Sequence, residues 1–282
     1  MKRAATISGV VAFLVIFLSG CLGNRPVKHP TLEDEARTYA RRYDGDLSLG
    51  RYHQAIRDAM HSLAIYRALD MERETAISLN NLGAVQDRLG MVDKALASYR
   101  EAIALSREIN DDGTLAASLN NLAGTLATTN PAQAATLANE AGDIASARGL
   151  TIVKARTLSV LATISFASGD LKKAGTLCRQ ALKLSAGGGG ESVRAACLAT
   201  LGRLLARSGD PDAGLESVKS GLAIDRERGD PFSIARDYQA MAEVQDAMHD
   251  MDGAEKSLEK AEHILRFLGL QPVNDDFSRP NH

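Results

Sequence analysis

Three residue types in this chain stand where they could do chemistry: cysteine, histidine and asparagine. Of the three cysteines, Cys21 closes an apolar N-terminal run, whereas Cys178 and Cys197 fall inside helical patterns. Neither of those two has metal-ligand spacing. The six histidines are scattered, and pairs such as His53 with His61 or His249 with His263 share no spacing that would build a zinc site. Cys178 and Cys197 read first as small buried apolar residues, although an oxidising compartment would permit a disulfide if their Cα atoms lay within about 7 Å. No nucleophile elbow, phosphate loop or HExxH occurs, and the glycine run 187–190 lacks the lysine and hydroxyl that a phosphate cradle needs. No catalytic group, metal or cofactor is therefore expected, and what remains is non-covalent recognition. The pentad Ser-Leu-Asn-Asn-Leu occurs twice, at 78–82 and 118–122, and presents Asn80, Asn81, Asn120 and Asn121. A side-chain amide both donates and accepts, so a ladder of amides along a groove can hold the main chain of an extended peptide whatever its side chains. The same amides can equally tie neighbouring helices together. Arg156, Arg203 and Arg236, with Ser159, Gln239 and Glu243, continue that face as candidate partner-binding positions.

These residues are positioned by a repeat. Ala36, Ala76, Ala116, Ala155, Ala195 and Ala235 recur at spacings of 40, 40, 39, 40 and 40 residues. Neighbouring columns agree. Three residues on come Tyr39, Leu79, Leu119, Leu158, Leu198 and Tyr238, and then the small residues Gly83, Ala123, Ala162, Gly202 and Ala242. A second small column runs through Ala55, Ala95, Ala134, Ala174, Gly214 and Ala254. The residue missing behind the spacing of 39 falls near Asn130 and Pro131, in a turn. A fixed period of this length means a solenoid, and apolar positions at i, i+3 and i+6 or i+7 make each unit a pair of helices. Turn signals separate them, among them Gly90, Asn130-Pro131 and Asp210-Pro211, where Asp or Asn can cap a helix that opens on proline. Leu79, Leu82, Gly83, Gly90, Ala95, Tyr99 and Ala102 resemble the tetratricopeptide repeat in its forty-residue variant, with a HEAT-like repeat of similar period as the alternative. The resemblance implies an all-α, right-handed superhelical solenoid of six helix-turn-helix repeats over residues 32–268. Arg42 and Tyr43 break the columns of the first repeat, so its polar first helix reads as a solvent-facing cap. The glycine run 187–190 reads as a flexible joint between the fourth and fifth repeats.

The N-terminal 21 residues have a basic start at Lys2 and Arg3 and an apolar run too short to cross a bilayer. They end in Leu18, Ser19, Gly20 and Cys21, which resembles the lipobox of bacterial lipoproteins. That resemblance implies cleavage before Cys21, lipidation of its thiol and amine, and stable membrane anchoring by several acyl chains. Leu22 follows where lipoproteins of the inner membrane commonly carry Asp, so the resemblance implies the outer membrane, facing the periplasm. Residues 22–31 hold Pro26 and Pro30 and no apolar period, so they read as a tether, and 269–282 read as a solvated, disordered tail.

Loss of the leader removes two of the 33 basic residues and none of the 35 acidic ones, leaving a formal charge of −4. No basic block stands out, so nucleic acid is not an expected partner. With 4% aromatics and no tryptophan, the core must be packed by alanine and leucine. In the tetratricopeptide family the first helices line a concave surface, and forty-residue members use asparagines at the positions of Asn81 and Asn121 to hold extended peptides. Ala40, Ala84 and Ala117 stand where a carboxylate clamp would want Lys or Asn, so a C-terminal carboxylate ligand is not implied. The expectation is a non-enzymatic, membrane-anchored adaptor that binds envelope proteins or extended peptide segments through its groove. The alternative is a carrier of a small lipid or glycan in the superhelical channel.

Overall fold

The computed structural model describes residues 31–270; the leader with Cys21, nearly all of the tether and the tail beyond residue 270 lie outside the described residues. Those described residues form twelve α-helices and no strand. Six pairs follow one another: α1 (Leu32–Ser48) with α2 (Tyr52–Ala68), α3 (Glu72–Arg88) with α4 (Val92–Glu108), and α5 (Asp112–Leu126) with α6 (Pro131–Ala147). Then come α7 (Thr151–Ala167) with α8 (Leu171–Leu184), α9 (Glu191–Arg207) with α10 (Pro211–Arg228), and α11 (Pro231–Ala247) with α12 (Met251–Phe267). Each helix packs on the next, and first helices of successive pairs also touch, as α3 does α5 and α9 does α11. This is the all-α solenoid that the forty-residue period implies.

Small residues set the packing. All six members of the first alanine column, Ala36 to Ala235, are fully buried, as are Ala55, Ala95, Ala134 and Ala174 of the second. With no side chain beyond Cβ, these positions bring helix axes close enough for the larger leucines and tyrosines to fill the gaps. Gly83 on α3 shows why: a Cβ there would stand 2.6 Å from the ring of Tyr99 on α4. Gly202 and Gly214 bring α9 and α10 closer still, with each one's absent Cβ only 2.6 Å from the other's carbonyl oxygen.

The turns keep a register of about twenty residues. Residues at 50, 70, 90, 110, 149, 169, 189, 209, 229 and 249 all have positive φ and reverse the chain between helices, and Gly269 has it just after the last helix. The one stretch without such a residue is the turn before Pro131, where α5 stops early at Leu126 and the period shortens to 39. Carboxylate or amide caps open the helices that follow: Asp111, Asn130, Asp170, Asp210, Asp230 and Asp250 each accept from an amide three residues on. Each such cap contributes on the order of 1 kcal/mol. The glycine run 187–190 is tied rather than loose: Arg194 donates to Ser185 O at 2.6 Å and to Gly187 O at 3.3 Å, and a Cβ on Gly190 would stand 2.5 Å from Ser185 O.

The solenoid closes on itself. Leu268, with the half-buried Phe232, Ile264 and Leu270 of the last pair, joins one apolar cluster with Tyr43, Tyr52, Ala55 and Leu79 of the first three helices. Tyr52 meets Phe232 edge to face at 6.4 Å, and Arg88 near the end of α3 reaches Asp230, 142 positions away, at 3.1 Å. This explains the exceptions in the first repeat. Most of α1 faces solvent as a cap should, but Tyr43 is buried because α1 meets an inner wall, and its hydroxyl donates to Asn81 O at 3.0 Å. Gly269 and Leu270, expected to belong to a loose tail, instead continue this packing, with Leu270 N donating to Leu265 O at 2.8 Å.

Candidate functional site

Closure turns the concave surface into a channel with a cavity of about 570 Å³. Its wall is built mainly from the first helix of every pair, with Tyr99 of α4 and Arg228 of α10 added: α1 gives Tyr43 and Asp44, α3 Asn80, Asn81, Asp87 and Arg88, α5 Asn120, Asn121 and Thr125. Beyond them α7 gives Arg156, Ser159 and Thr163, α9 Ser192, and α11 Ser233 and Arg236. First helices face inward because each carries its apolar stripe toward the second helices, which leaves the opposite, polar face for the channel.

The four asparagines come together there but do different things. Asn121 Nδ2 donates to Asn80 Oδ1 at 2.9 Å, a bond between successive inner helices across 41 positions. Asn120 is 1% exposed and donates to Val153 O at 3.5 Å, so its amide lies in the packing between α5 and α7, with Oδ1 lacking a hydrogen-bond partner. Asn81 uses its main-chain oxygen to accept from Tyr43, while its side chain stays on the channel wall.

The three arginines also part company. Arg203 is engaged, donating through Nε to Glu243 at 2.8 Å and lying 4.7 Å over the ring of Phe166. Arg156 and Arg236 stand exposed on the channel wall, and neither forms an ion pair among the described residues. Enclosure, and then neighbouring cations, work against their charge: Arg228 beside Arg156, and Arg203 beside Arg236. Burial pushes the carboxyls of Asp44 and Asp87 upward, Asp87 being steadied by the Thr125 hydroxyl and by Arg236. Sequence reasoning singled out neither Asp87 and Thr125, which lie one or two turns beyond the asparagines, nor Thr163 on the inner face of α7. No group of histidines, cysteines and carboxylates suited to a metal occurs among the described residues, and no helix of them is long and apolar enough to cross a membrane. Cys178 and Cys197 are free thiols in one buried cluster; their mutual hydrogen bond and then burial push the Cys178 thiol far up.

Fold and channel together define a helical-repeat scaffold, a fold consistent with protein–protein interaction. The tetratricopeptide repeat model matches residues 46–108 and 74–147, and the repeats within that span are tetratricopeptide repeats. No curated protein matches the sequence. Among solved structures, BtubC (BKLC) from P. vanneervenii is similar at 20% identity and a TM-score of 0.53, over 90% of this chain and 98% of that one. A Rap protein complexed with Competence and Sporulation Factor is similar at 14% identity and 0.68, over 86% of this chain and 78% of that one. The apo form of RapI follows at 12% identity and 0.68, over 92% and 91%. At these identities the similarity is one of fold.

Proposed function

We propose that this chain is an adaptor that holds an extended segment of another protein in its central channel, tethered to the bacterial envelope by a lipid on Cys21. The observation that carries the binding half is the channel itself: a continuous inner wall rich in amides, hydroxyls and guanidinium groups, with the space to take main-chain donors and acceptors. A lipid carrier would need an apolar lining, which the Asn, Ser, Thr and Arg side chains of this wall do not provide. That a Rap protein of the same fold is found complexed with Competence and Sporulation Factor is in keeping with this reading. The anchoring half rests on the sequence of residues 18–21 and their basic, apolar leader; periplasmic exposure and an outer-membrane address follow from the same residues and from Leu22.

Two experiments in the native cell separate the halves. A photo-crosslinking residue in place of Thr163, inside the channel, is expected to trap one protein that the same residue in place of Arg100, exposed on α4, does not. Equal capture from both positions would sink channel binding. Cys21→Ser is expected to move the protein from the outer-membrane fraction to the soluble periplasm, and retention in the membrane would sink lipid anchoring.

A further inference from the structure

The inner wall carries two cations that the protein does not neutralise. Arg156 on α7 and Arg236 on α11 project into the same channel, and neither makes a hydrogen bond or ion pair with any described side chain. The other channel arginines are occupied. Arg88 is held by Asp230, and Arg228 by Asp225 with Asp230 at 3.7 Å. The carboxylates nearest Arg236 do not serve it either. Asp87 approaches it without an ion pair, and Asp237, next in the chain, is buried beside Asp225, so that burial and then the charge of Asp225 push its carboxyl upward and weaken it as a counter-charge.

Two guanidinium groups open to the water of one channel, with Arg228 beside the first and Arg203 and Arg88 beside the second, leave this part of the wall positive and without an ion pair of its own. A ligand anion relieves the repulsion among these cations, and the planar fork of a guanidinium matches a carboxylate in two-point contact. Hydroxyls of Ser159, Thr163 and Ser192 stand on the wall alongside and suit a main chain rather than a compact ion. We infer that the channel selects an acidic peptide segment, with carboxylate side chains of the bound strand seated on Arg156 and Arg236. This rests on the channel-binding reading above and gives it a ligand class.

The test uses the mature, soluble form of the full chain and fluorescein-labelled hexaglutamate and hexaglutamine, each spanning about 20 Å when extended. Fluorescence anisotropy at low ionic strength is expected to show hexaglutamate bound at least tenfold more tightly than hexaglutamine, with the preference shrinking as salt is added. Arg156→Gln with Arg236→Gln should abolish the preference at an unchanged circular-dichroism spectrum, while Arg100→Gln, outside the channel, should leave it intact. Equal binding of the two peptides would overturn the acidic preference and leave channel binding standing. Loss of the preference equally in Arg100→Gln would overturn it as general charge attraction. Binding of neither peptide, with inorganic phosphate still raising the melting temperature of the wild type but not of the double variant, would overturn both in favour of a small-anion site; no response to any probe would overturn both outright.

Discussion

At the scale of single residues the most informative group is one that no spacing announces. Asp237 is 3% exposed, and its Oδ2 lacks a partner, because α11 presses it against Asp225 on α10. Burial, and then the negative charge of Asp225, push its carboxyl up to about 8, while Asp225 itself is satisfied by Arg228 and Arg236 lies beside the pair. Since an unfolded aspartate titrates near about 3.9, the native state holds a proton that the unfolded chain has released. Stability contributed by that proton is fully present below the unfolded value and lost as pH rises toward 8. Asp111 and Asp230, shifted downward, act in the opposite sense but only under acid, as they protonate in the native state. The unfolding free energy from urea titrations is therefore expected to fall between pH 6 and pH 8 with a slope of up to ~1.4 kcal/mol per pH unit, then level off. Asp237→Asn, which keeps a donor toward Asp225, should flatten that slope, and an unchanged slope would show the carboxyl already ionised in the folded state. Nothing in the sequence distinguishes this aspartate from the many exposed ones. The asparagines illustrate the same limit: the pentads place all four on the inner helices, but one position along a helix is a rotation of 100°, enough to bury Asn120 while Asn121 reaches Asn80.

At the scale of the element the sequence was nearly transparent, for a physical reason. A solenoid solves one packing problem six times, so the small residues that permit close approach recur in columns, and the residues of positive φ recur between them. Ala138 replacing a bulky residue and Gly214 replacing alanine are local adjustments, the second matched by Gly202 across the contact between α9 and α10. That match gives a sharp expectation. Gly202→Ala would drive a Cβ to 2.6 Å from Gly214 O, a backbone atom that moves only with its helix, and is expected to cost about 1–3 kcal/mol by urea denaturation. Gly45→Ala in α1 meets nothing within 4 Å and should stabilise by roughly 0.5–1 kcal/mol through helix propensity alone. If both changes cost the same, intimate packing at Gly202 is not what fixes the crossing. For the glycine run 187–190 composition reports backbone freedom in the unfolded chain, whereas in the folded one Arg194 and the close approach at Gly190 tie its two ends.

At the scale of the whole molecule the decisive feature is closure, which sequence period is blind to: columns report contacts made in every repeat, whereas the seam is made once. There Arg88 lies 5.7 Å from the Tyr52 ring and 5.2 Å from the Phe232 ring while bonding Asp230 through both Nη atoms. Burial opposes the charge of each partner, but the pair outweighs it, holding Arg88 more basic and Asp230 more acidic than either would be alone. An open solenoid behaves as a row of units that melt from the ends, each stabilised only by its neighbours. Joining the ends makes the first and sixth pairs neighbours, so a single cooperative transition is expected. A double-mutant cycle of Arg88→Ala and Asp230→Asn should return a coupling of about 1–3 kcal/mol, since the cycle cancels the separate role of Asp230 as the cap of α11. Arg88→Ala should also broaden the melt and raise the radius of gyration in small-angle X-ray scattering as the seam parts. A coupling near zero, with scattering unchanged, would mean that the apolar contacts of Tyr52, Phe232 and Leu268 hold the ring without the ion pair. A widened ring in the variant would also spread the channel walls apart, so the seam that no repeat encodes would govern the spacing between the inner helices and whatever they hold.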